Sequence, residues 1–108
     1  MGIRIRLSRQ TLILLDDLLV HPGTWHHGYA ISQETGLASG TLYPILMRLE
    51  KAGWLETRWE QTAVPGRPPR HQYRLTPNGR AWASEELRAA RASKFWRPAS
   101  GKTATGEV

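Results

Sequence analysis

Small and hydrogen-bonding side chains stand at one end of an apolar repeat in the segment GLASGTLYPILMRLEKAGWL, residues 36–55. Leucine and isoleucine recur there at helical spacing, which predicts a helix over residues 39–52 with a single buried side. Hydroxyl groups and low bulk at the start of such a helix suit hydrogen bonds to phosphates or base edges. The residues in these positions, off the apolar side, are Ser39, Gly40, Thr41, Tyr43 and Pro44.

Basic residues extend this candidate surface. Arg48 and Lys51 follow two turns later in the same helix, where they suit contacts with phosphates. Arg67 and Arg70 both lie in the loop QTAVPGRPPR, which is too rich in proline to continue a strand ladder. We predict that these two arginines contact a nucleic-acid backbone or minor groove.

Each of these assignments has a purely structural alternative. Ser39 can serve only as a helix N-cap, and Tyr43 can pack against the side of the first helix. Arg67 and Arg70 can simply keep the loop solvated. The sequence leaves these alternatives open.

The charge of the chain favours a polyanionic partner. Fifteen lysines and arginines face nine acidic residues, a formal net charge of +6. Twelve of the fifteen are arginine, whose planar group suits phosphate and guanine. A generally basic surface explains the total, but residues 1–15 and 61–84 are basic without any acidic residue, and this clustering favours nucleic acid.

Helix and turn signals place these residues in a mostly α fold with one small β-hairpin. Ser8 is a suitable N-cap, Gly36 suits the left-handed end of a helix, and Thr76 followed by Pro77 is a strong start signal. Two helices joined by a tight turn and followed by a hairpin with a basic tip predict a winged helix-turn-helix. The predicted elements are a helix over 8–20, a strand over 24–26, helices over 28–35 and 39–52, strands over 54–60 and 71–75, and a helix from 76 to about 96.

The last helix predicts a dimer. About 20 residues reach roughly 30 Å, longer than so small a core can cover, although packing on its own domain is the alternative. A dimer also has to hold two recognition helices about 34 Å apart, one turn of DNA. We therefore divide the chain into a DNA-binding domain (1–75), a dimerisation helix (76–97) and a disordered tail (98–108). The predicted dimer contacts are Leu12, Leu15, Leu19, Trp82, Leu87, Ala90, Phe95 and Trp96.

Several classes of function find no support in the sequence. It has no cysteine, no nucleophile–base pair, no phosphate loop and no dinucleotide-binding glycine pattern. His26 and His27 point in different directions on a strand or a loop, and His21 and His71 have no cysteine or acidic pair at ligand spacing. We therefore predict no metal, no cofactor and no enzyme activity. Asp16 and Asp17, the expected solvated side of the first helix, interrupt the run TLILLDDLLV, which argues against a signal peptide or a membrane span. The expected location is the cytoplasm.

Three segments, HGYAISQETG, GTLYPILMRLEKAGWL and GRPPRHQYRLTPNG, resemble the PadR family of bacterial transcriptional regulators over roughly residues 9–80. Tyr-Pro followed by Leu-x-x-Leu, and then Tyr-x-Leu-Thr-x-x-Gly, carries the resemblance. It implies a homodimeric winged-helix repressor of double-stranded DNA with a two-fold symmetric operator. Helix 39–52 would enter the major groove, and the wing would cover the backbone or minor groove. The chain length resembles the short subfamily, in which a single C-terminal helix makes the dimer.

Two other functions stay open. One is a winged-helix protein-interaction module whose basic wing meets an acidic partner. The other is a ligand-responsive multidrug-type repressor with a pocket at the dimer interface, for an effector that is unknown. Some PadR-like regulators hold flat aromatic drugs between tryptophans in the middle of the last helix, but residues 83–94 contain no aromatic side chain here. A pocket lined by Trp96 and leucines of the first helix is the remaining alternative.

Overall fold

Four helices and three short strands follow one another along the part of the chain that the computed structural model describes, residues 7–60, 65–66 and 69–92. Their order confirms the predicted mostly α winged helix-turn-helix with a small sheet. The elements are α1 (Arg9–Val20), β1 (His26–His27), α2 (Gly28–Thr35), α3 (Ser39–Lys51), β2 (Leu55–Glu60), β3 (Arg70–Leu75) and α4 (Pro77–Arg91).

Three helix ends follow the local signals expected of them. The Ser8 hydroxyl caps α1 by accepting a hydrogen bond from the backbone N–H of Thr11 at 3.1 Å. The Thr76 hydroxyl caps α4 in the same way, from the N–H of Gly79 at 2.9 Å. Gly36 ends α2 with a φ of 77°, a conformation that glycine adopts without steric cost.

The start of α3 differs from the prediction for Ser39. Ala38 occupies the N-cap position, with φ of −69° and ψ of 154°, and Ser39 is the first residue of the helix. The Ala38 carbonyl accepts the N–H groups of Thr41 and Leu42 at 3.0 and 2.9 Å. No side chain caps this helix, so the hydroxyls of Ser39 and Thr41 are not used for that purpose.

The core forms around the apolar side of α3. Leu42, Ile45, Leu46 and Leu49 are all buried there against the other helices and the sheet. The remaining core side chains are Leu14, Leu15, Leu18, Ile31, Leu55, Tyr73, Leu75, Ala83 and Leu87.

This burial corrects part of the predicted dimer surface. Leu15 and Leu87 are only 0% and 1% exposed in the single chain, so both side chains belong to its own core and neither is available to a second chain. Leu12, Leu19 and Trp82 are partly buried against the same core.

The sheet has β3 at its centre, in the order β1-β3-β2, with both pairings antiparallel. The first strand lies at His26–His27 and not at 24–26 as predicted, because these two residues pair with Tyr73 and Gln72 of β3. Successive side chains of a strand point to opposite faces. One face carries Leu55, Tyr73 and Leu75 into the core, and the other is polar.

Helix α4 lies along α1. Its side chains Ala83 and Leu87 enter the core, and Arg91 reaches Asp16 of α1 with an N–O distance of 2.9 Å. The predicted continuation of this helix, with Phe95 and Trp96, lies outside the described residues, as do Arg67 and the tail 98–108. The division of the chain at residue 76 stays a prediction.

Gly79 supplies a test of the fold. A Cβ at this position would overlap the backbone of Trp54, whose carbonyl cannot move without breaking its 3.0 Å hydrogen bond from the N–H of Thr76. We expect Gly79→Ala to lower the free energy of unfolding by about 2–3 kcal/mol, as overpacking does, measured by urea unfolding.

Gly40→Ala is the matched control, because nothing lies within 4 Å of a Cβ there. It should leave stability unchanged or raise it by up to about 1 kcal/mol, since alanine is the better helix former. Equal effects of the two substitutions would contradict the close packing of α4 against the start of β2.

Candidate nucleic-acid interface

The exposed side of α3 gathers most of the residues expected to bind. Gly40, Thr41 and Pro44 are exposed on it, opposite the four buried apolar residues. Met47, which the sequence places on this side but which was not among the predicted contacts, is 59% exposed. An apolar side chain this exposed in the middle of a polar surface suits contact with a thymine methyl group or a sugar.

Pro44 lies inside α3 without ending it, since the helix runs on to Lys51. Proline has no N–H, so the carbonyl of Gly40 loses its usual donor four residues along. Gly40 is itself exposed, and nothing lies within 4 Å of the position its Cβ would take. Pro44 and Gly40 together therefore leave the Gly40 carbonyl, a hydrogen-bond acceptor, on an open part of the helix surface.

Tyr43 does not point freely away from the protein. Its ring lies over Gly28 at the start of α2, where any Cβ would overlap the Tyr43 hydroxyl. Its centroid is 6.4 Å from that of Tyr73 in β3, and the side chain is 39% exposed. The alternative that Tyr43 packs against α1 is thus replaced by packing against α2 and the sheet.

An aromatic row continues from Tyr43 into the hairpin. Tyr73 tilts against His71 at 4.7 Å between centroids, and His71 stacks on Trp59 at 4.3 Å with an interplanar angle of 8°. Burial raises the pKa of Tyr73 to about 12, so its hydroxyl stays protonated beside Nδ1 of His71, 3.1 Å away. Trp59 at the far end is 63% exposed. We call Tyr43, Tyr73, His71 and Trp59 the aromatic row.

A groove of about 510 Å³ lies where the start of α2 meets the hairpin. Tyr43, Arg70 and His71 line it together with Tyr29, which is 75% exposed. The fold therefore brings Arg70 of the hairpin to the same groove as Tyr43 of α3. This is the position expected for the wing of a winged helix. Sequence patterns did not single out Tyr29 or His71, because only the pairing of β1 with β3 brings the start of α2 beside the hairpin.

Charge at the base of the wing is partly balanced. Arg70 is exposed and pairs in register with Glu60 across the hairpin. A hydrogen bond from Nε2 of His27 to Glu60, 2.8 Å long, lowers the pKa of that carboxyl, and the positive charges of Arg70 and Arg58 add to the effect. Glu60 is therefore ionised at neutral pH and neutralises some of the positive charge here.

Two other arginines of the hairpin have structural partners. The guanidinium carbons of Arg58 and Arg74 each lie 4.3 Å from a ring centroid of Trp25, so the indole contacts two cations. Arg74 also donates to Glu56 at 2.9 Å. The basic stretch 61–84 is thus not uniformly available for binding, a division that the sequence alone does not reveal.

The far end of α3 has a different environment. Arg48 and Lys51 are both exposed, and Arg48 also lines a cavity of about 110 Å³ beside the start of α1. Trp54 and Trp82 stack in its wall at 4.7 Å between centroids. Pockets for drug-sized ligands are typically about 300 Å³ or more. This cavity is therefore too small for a drug of the kind that a multidrug regulator holds.

The two acidic residues of α1 are not simply solvated, contrary to expectation. Asp16 pairs with Arg91, whereas Asp17 approaches His26 and Glu34. One ligand atom from each of Asp17, His26 and Glu34 lies within 4.8 Å of the other two. Sequence spacing gave no sign of this group because α1, β1 and α2 contribute one residue each.

Comparison with known proteins decides the family. The model of the "Transcriptional regulator PadR-like family" matches residues 19–85, more than half of the chain. The chain is a member of the PadR family. The match includes the helix-turn-helix, the hairpin and the first half of α4, so the resemblance of the three sequence segments is confirmed. PadR proteins are transcription regulators and not an enzyme family.

A curated relative and solved structures agree with this assignment. Transcriptional regulator Rv3488 of Mycobacterium tuberculosis is 49% identical over 63 residues, which are 58% of this chain and 50% of the relative. The PadR chain therefore spans about half the length of that relative. A PadR-like transcription factor from Bacteroides fragilis has a TM-score of 0.63 at 25% identity and covers 78% of this chain and 84% of its own. A PadR regulator from Eggerthella lenta has a TM-score of 0.64 at 26% identity, covering 77% and 76%.

No helix among the described residues of this PadR chain is long and apolar enough to cross a membrane.

Tyr43 and Met47 provide a test of the packing described for α3. Tyr43→Ala removes the ring from Gly28 and Tyr73, so we expect the free energy of unfolding to fall by about 1 kcal/mol. Met47→Ala, on the exposed side of the same helix, should change it by less than about 0.5 kcal/mol. Thermal unfolding of both variants measures the difference. A Tyr43→Ala protein as stable as the parent would mean that the tyrosine side chain is free in solution.

Proposed function

We propose that this PadR protein is a homodimeric transcriptional repressor that binds double-stranded DNA at an operator with two-fold symmetry. The observation that carries the proposal is the continuity of one surface. The start of α3 exposes small and hydroxyl-bearing residues, and the groove beside Tyr43 connects this surface with the basic wing. A helix that enters the major groove reads bases with its N-terminal residues, and these are the residues on that surface.

Different parts of the surface suit different contacts. Ser39, Gly40, Thr41 and Pro44 are proposed to face base edges, where hydroxyl groups and the open Gly40 carbonyl can exchange hydrogen bonds with donors and acceptors. Tyr43 offers its hydroxyl from the side of the groove, since its ring is held against α2.

The basic residues are proposed to bind the sugar–phosphate backbone. Arg48 and Lys51 would do so from the far end of α3, and Arg70 from the base of the wing. Arg67 is proposed for the same role at the wing tip on its sequence position alone. Together with the net charge of +6, these cations favour a polyanion over a neutral partner.

The dimer is proposed to form through α1 and α4. Val20 is exposed at the end of α1, and the partly buried Leu19 beside it lines a shallow pocket with Ser84 and Arg91 of α4. Leu12, Trp82 and Ala90 are also only partly buried by their own chain. Phe95 and Trp96 would extend this apolar surface if the helix continues as the sequence predicts.

Selection of bound sites from random duplexes tests the proposal. We expect enrichment of an inverted repeat with half-sites about one helical turn apart, because two α3 helices of a dimer read successive major grooves. Sedimentation should give about twice the chain mass of 12.2 kDa at micromolar concentration. Failure to enrich any sequence over scrambled duplex at physiological salt would overturn the regulator and favour a protein-interaction module. A mass of one chain would overturn the dimer.

Substitutions of Arg70 and Arg88 distinguish DNA contacts made by the wing from the effect of the net charge of the protein. Each substitution by alanine removes one exposed positive charge, but Arg88 lies on α4, where it pairs with Glu85. We expect Arg70→Ala to weaken binding to all sequences alike and to lower the slope of log affinity against log salt by about one. Arg88→Ala should leave the slope unchanged. If both variants lowered it equally, the wing would have no special role and only net charge would matter.

A further inference from the structure

Asp17 is half-buried, and one of its two carboxylate oxygens is not exposed at all. Its Oδ2 is inaccessible to solvent and has no hydrogen-bond partner among the residues that the structure describes. A carboxylate oxygen held like this loses its hydration without receiving a replacement, which costs free energy. The lost hydration of such an oxygen is compensated when a cation or a proton binds the carboxyl group.

The neighbours of Asp17 are a histidine and a second carboxylate. The ligand atoms of Asp17, His26 and Glu34 all lie within 4.8 Å of one another. They come from the middle of α1, from β1 and from the end of α2, so the tertiary fold holds them together and no single helix does. Ligand atoms that bind one tetrahedral zinc ion at 2.0–2.2 Å lie about 3.4 Å apart, so the present spacing would have to contract only slightly.

Two carboxyl groups that lie close together repel each other when both are ionised. One ligand oxygen of Asp17 lies within 4.8 Å of one ligand oxygen of Glu34. Asp16, the neighbour of Asp17 in α1, pairs with Arg91 at 2.9 Å. Two carboxyl groups are thus held close to each other, with the His26 ring as their third neighbour.

One ring nitrogen of His26 has a backbone partner, which leaves the other nitrogen to act as a ligand. Its Nε2 lies 3.3 Å from the carbonyl oxygen of His21, a group that can only accept a hydrogen bond. When Nε2 donates its proton there, the neutral ring carries its lone pair on the other nitrogen. Metal-ligating histidines characteristically donate their second N–H to a carbonyl or carboxylate in this manner.

We propose that Asp17, His26 and Glu34 form a binding site for one divalent transition metal ion of the zinc class. One imidazole nitrogen and two carboxylate oxygens are a donor set that such ions accept, whereas Mg²⁺ and Ca²⁺ prefer oxygen ligands throughout. Three protein ligands leave the remaining coordination positions to water. Glu34 is exposed and provides the route by which an ion enters.

A carboxyl pair that shares a proton is the competing explanation for the same geometry. A shared proton would join the carboxyl groups of Asp17 and Glu34 by a hydrogen bond, and His26 would have no role. The two explanations differ in what they require of the histidine and of the ion. Metal binding has to depend on all three side chains and has to prefer Zn²⁺ to Mg²⁺, whereas a shared proton needs neither.

The test uses the full chain without an affinity tag, stripped with a chelator and titrated with ZnCl₂ by calorimetry in the absence of DNA. We expect one Zn²⁺ per chain, and a rise in melting temperature when Zn²⁺ is added, because the ion binds the folded state. Glu34→Gln keeps the size of an exposed side chain while removing its charge, and should weaken binding about tenfold or more. His26→Gln should do the same.

Glu85→Gln is the matched control, an exposed glutamate of α4 that lies outside the group. It should bind Zn²⁺ like the parent. The proposal is overturned if no heat of binding appears at millimolar Zn²⁺, if Glu34→Gln and His26→Gln bind as tightly as Glu85→Gln, or if Mg²⁺ binds as tightly as Zn²⁺. Because no DNA is present, a negative result here leaves the proposed regulator function untouched, and a failed operator selection leaves the metal site untouched.

Discussion

Burial of one side of α3 is the constraint on which the rest of the molecule depends. Four side chains of this helix, Leu42, Ile45, Leu46 and Leu49, lie in the core, and each contributes about 1.5–3 kcal/mol by leaving water. In a chain of 108 residues such a contribution is a large part of what holds the fold together. Once these four positions are fixed, the helical period alone decides which residues face outwards.

The position of α3 is transmitted to α4 through a compact junction. The Thr76 hydroxyl donates to the carbonyl of Gly53 at 2.9 Å, and the Thr76 N–H donates to the carbonyl of Trp54 at 3.0 Å. Gly79 packs on the same backbone, and Trp82 stacks on Trp54. The end of the proposed reading helix is therefore tied to the start of the helix proposed to form the dimer. Such a connection keeps the two parts of a dimer at a set spacing, which recognition of two half-sites requires.

The fold was largely predictable because its signals are local. Ser8, Gly36 and Thr76 each mark a helix end by their own chemistry, and the apolar period of α3 needs no knowledge of its surroundings. The N-cap of α3 was predicted one residue too late, at Ser39, because serine is a common N-cap. The extended backbone that begins the helix is already at Ala38.

The site was predictable only where exposure follows from helical period. Gly40, Thr41 and Pro44 fell on the outer side as expected, whereas the orientation of Tyr43 depends on Gly28, fifteen positions earlier. The group of Asp17, His26 and Glu34 and the two arginines around Trp25 arise from tertiary contacts alone. No pattern of spacing encodes contacts of this kind. A burial prediction for a leucine such as Leu15 likewise cannot tell the core of one chain from the interface of two.

The contact between Tyr43 and Gly28 has a consequence for how such a protein can acquire a new DNA preference. The ring can occupy its place only while residue 28 has no side chain, so the direction of a tyrosine in α3 is set by a position in α2. Substitutions at Thr41 or Met47 face open space and can change one contact at a time. A substitution at residue 28 would instead turn the Tyr43 ring and alter the shape of the groove beside the wing. Substitutions along the open side of α3 can therefore change the binding preference gradually. A substitution of Gly28, which does not lie on that side, would change it in a single large step.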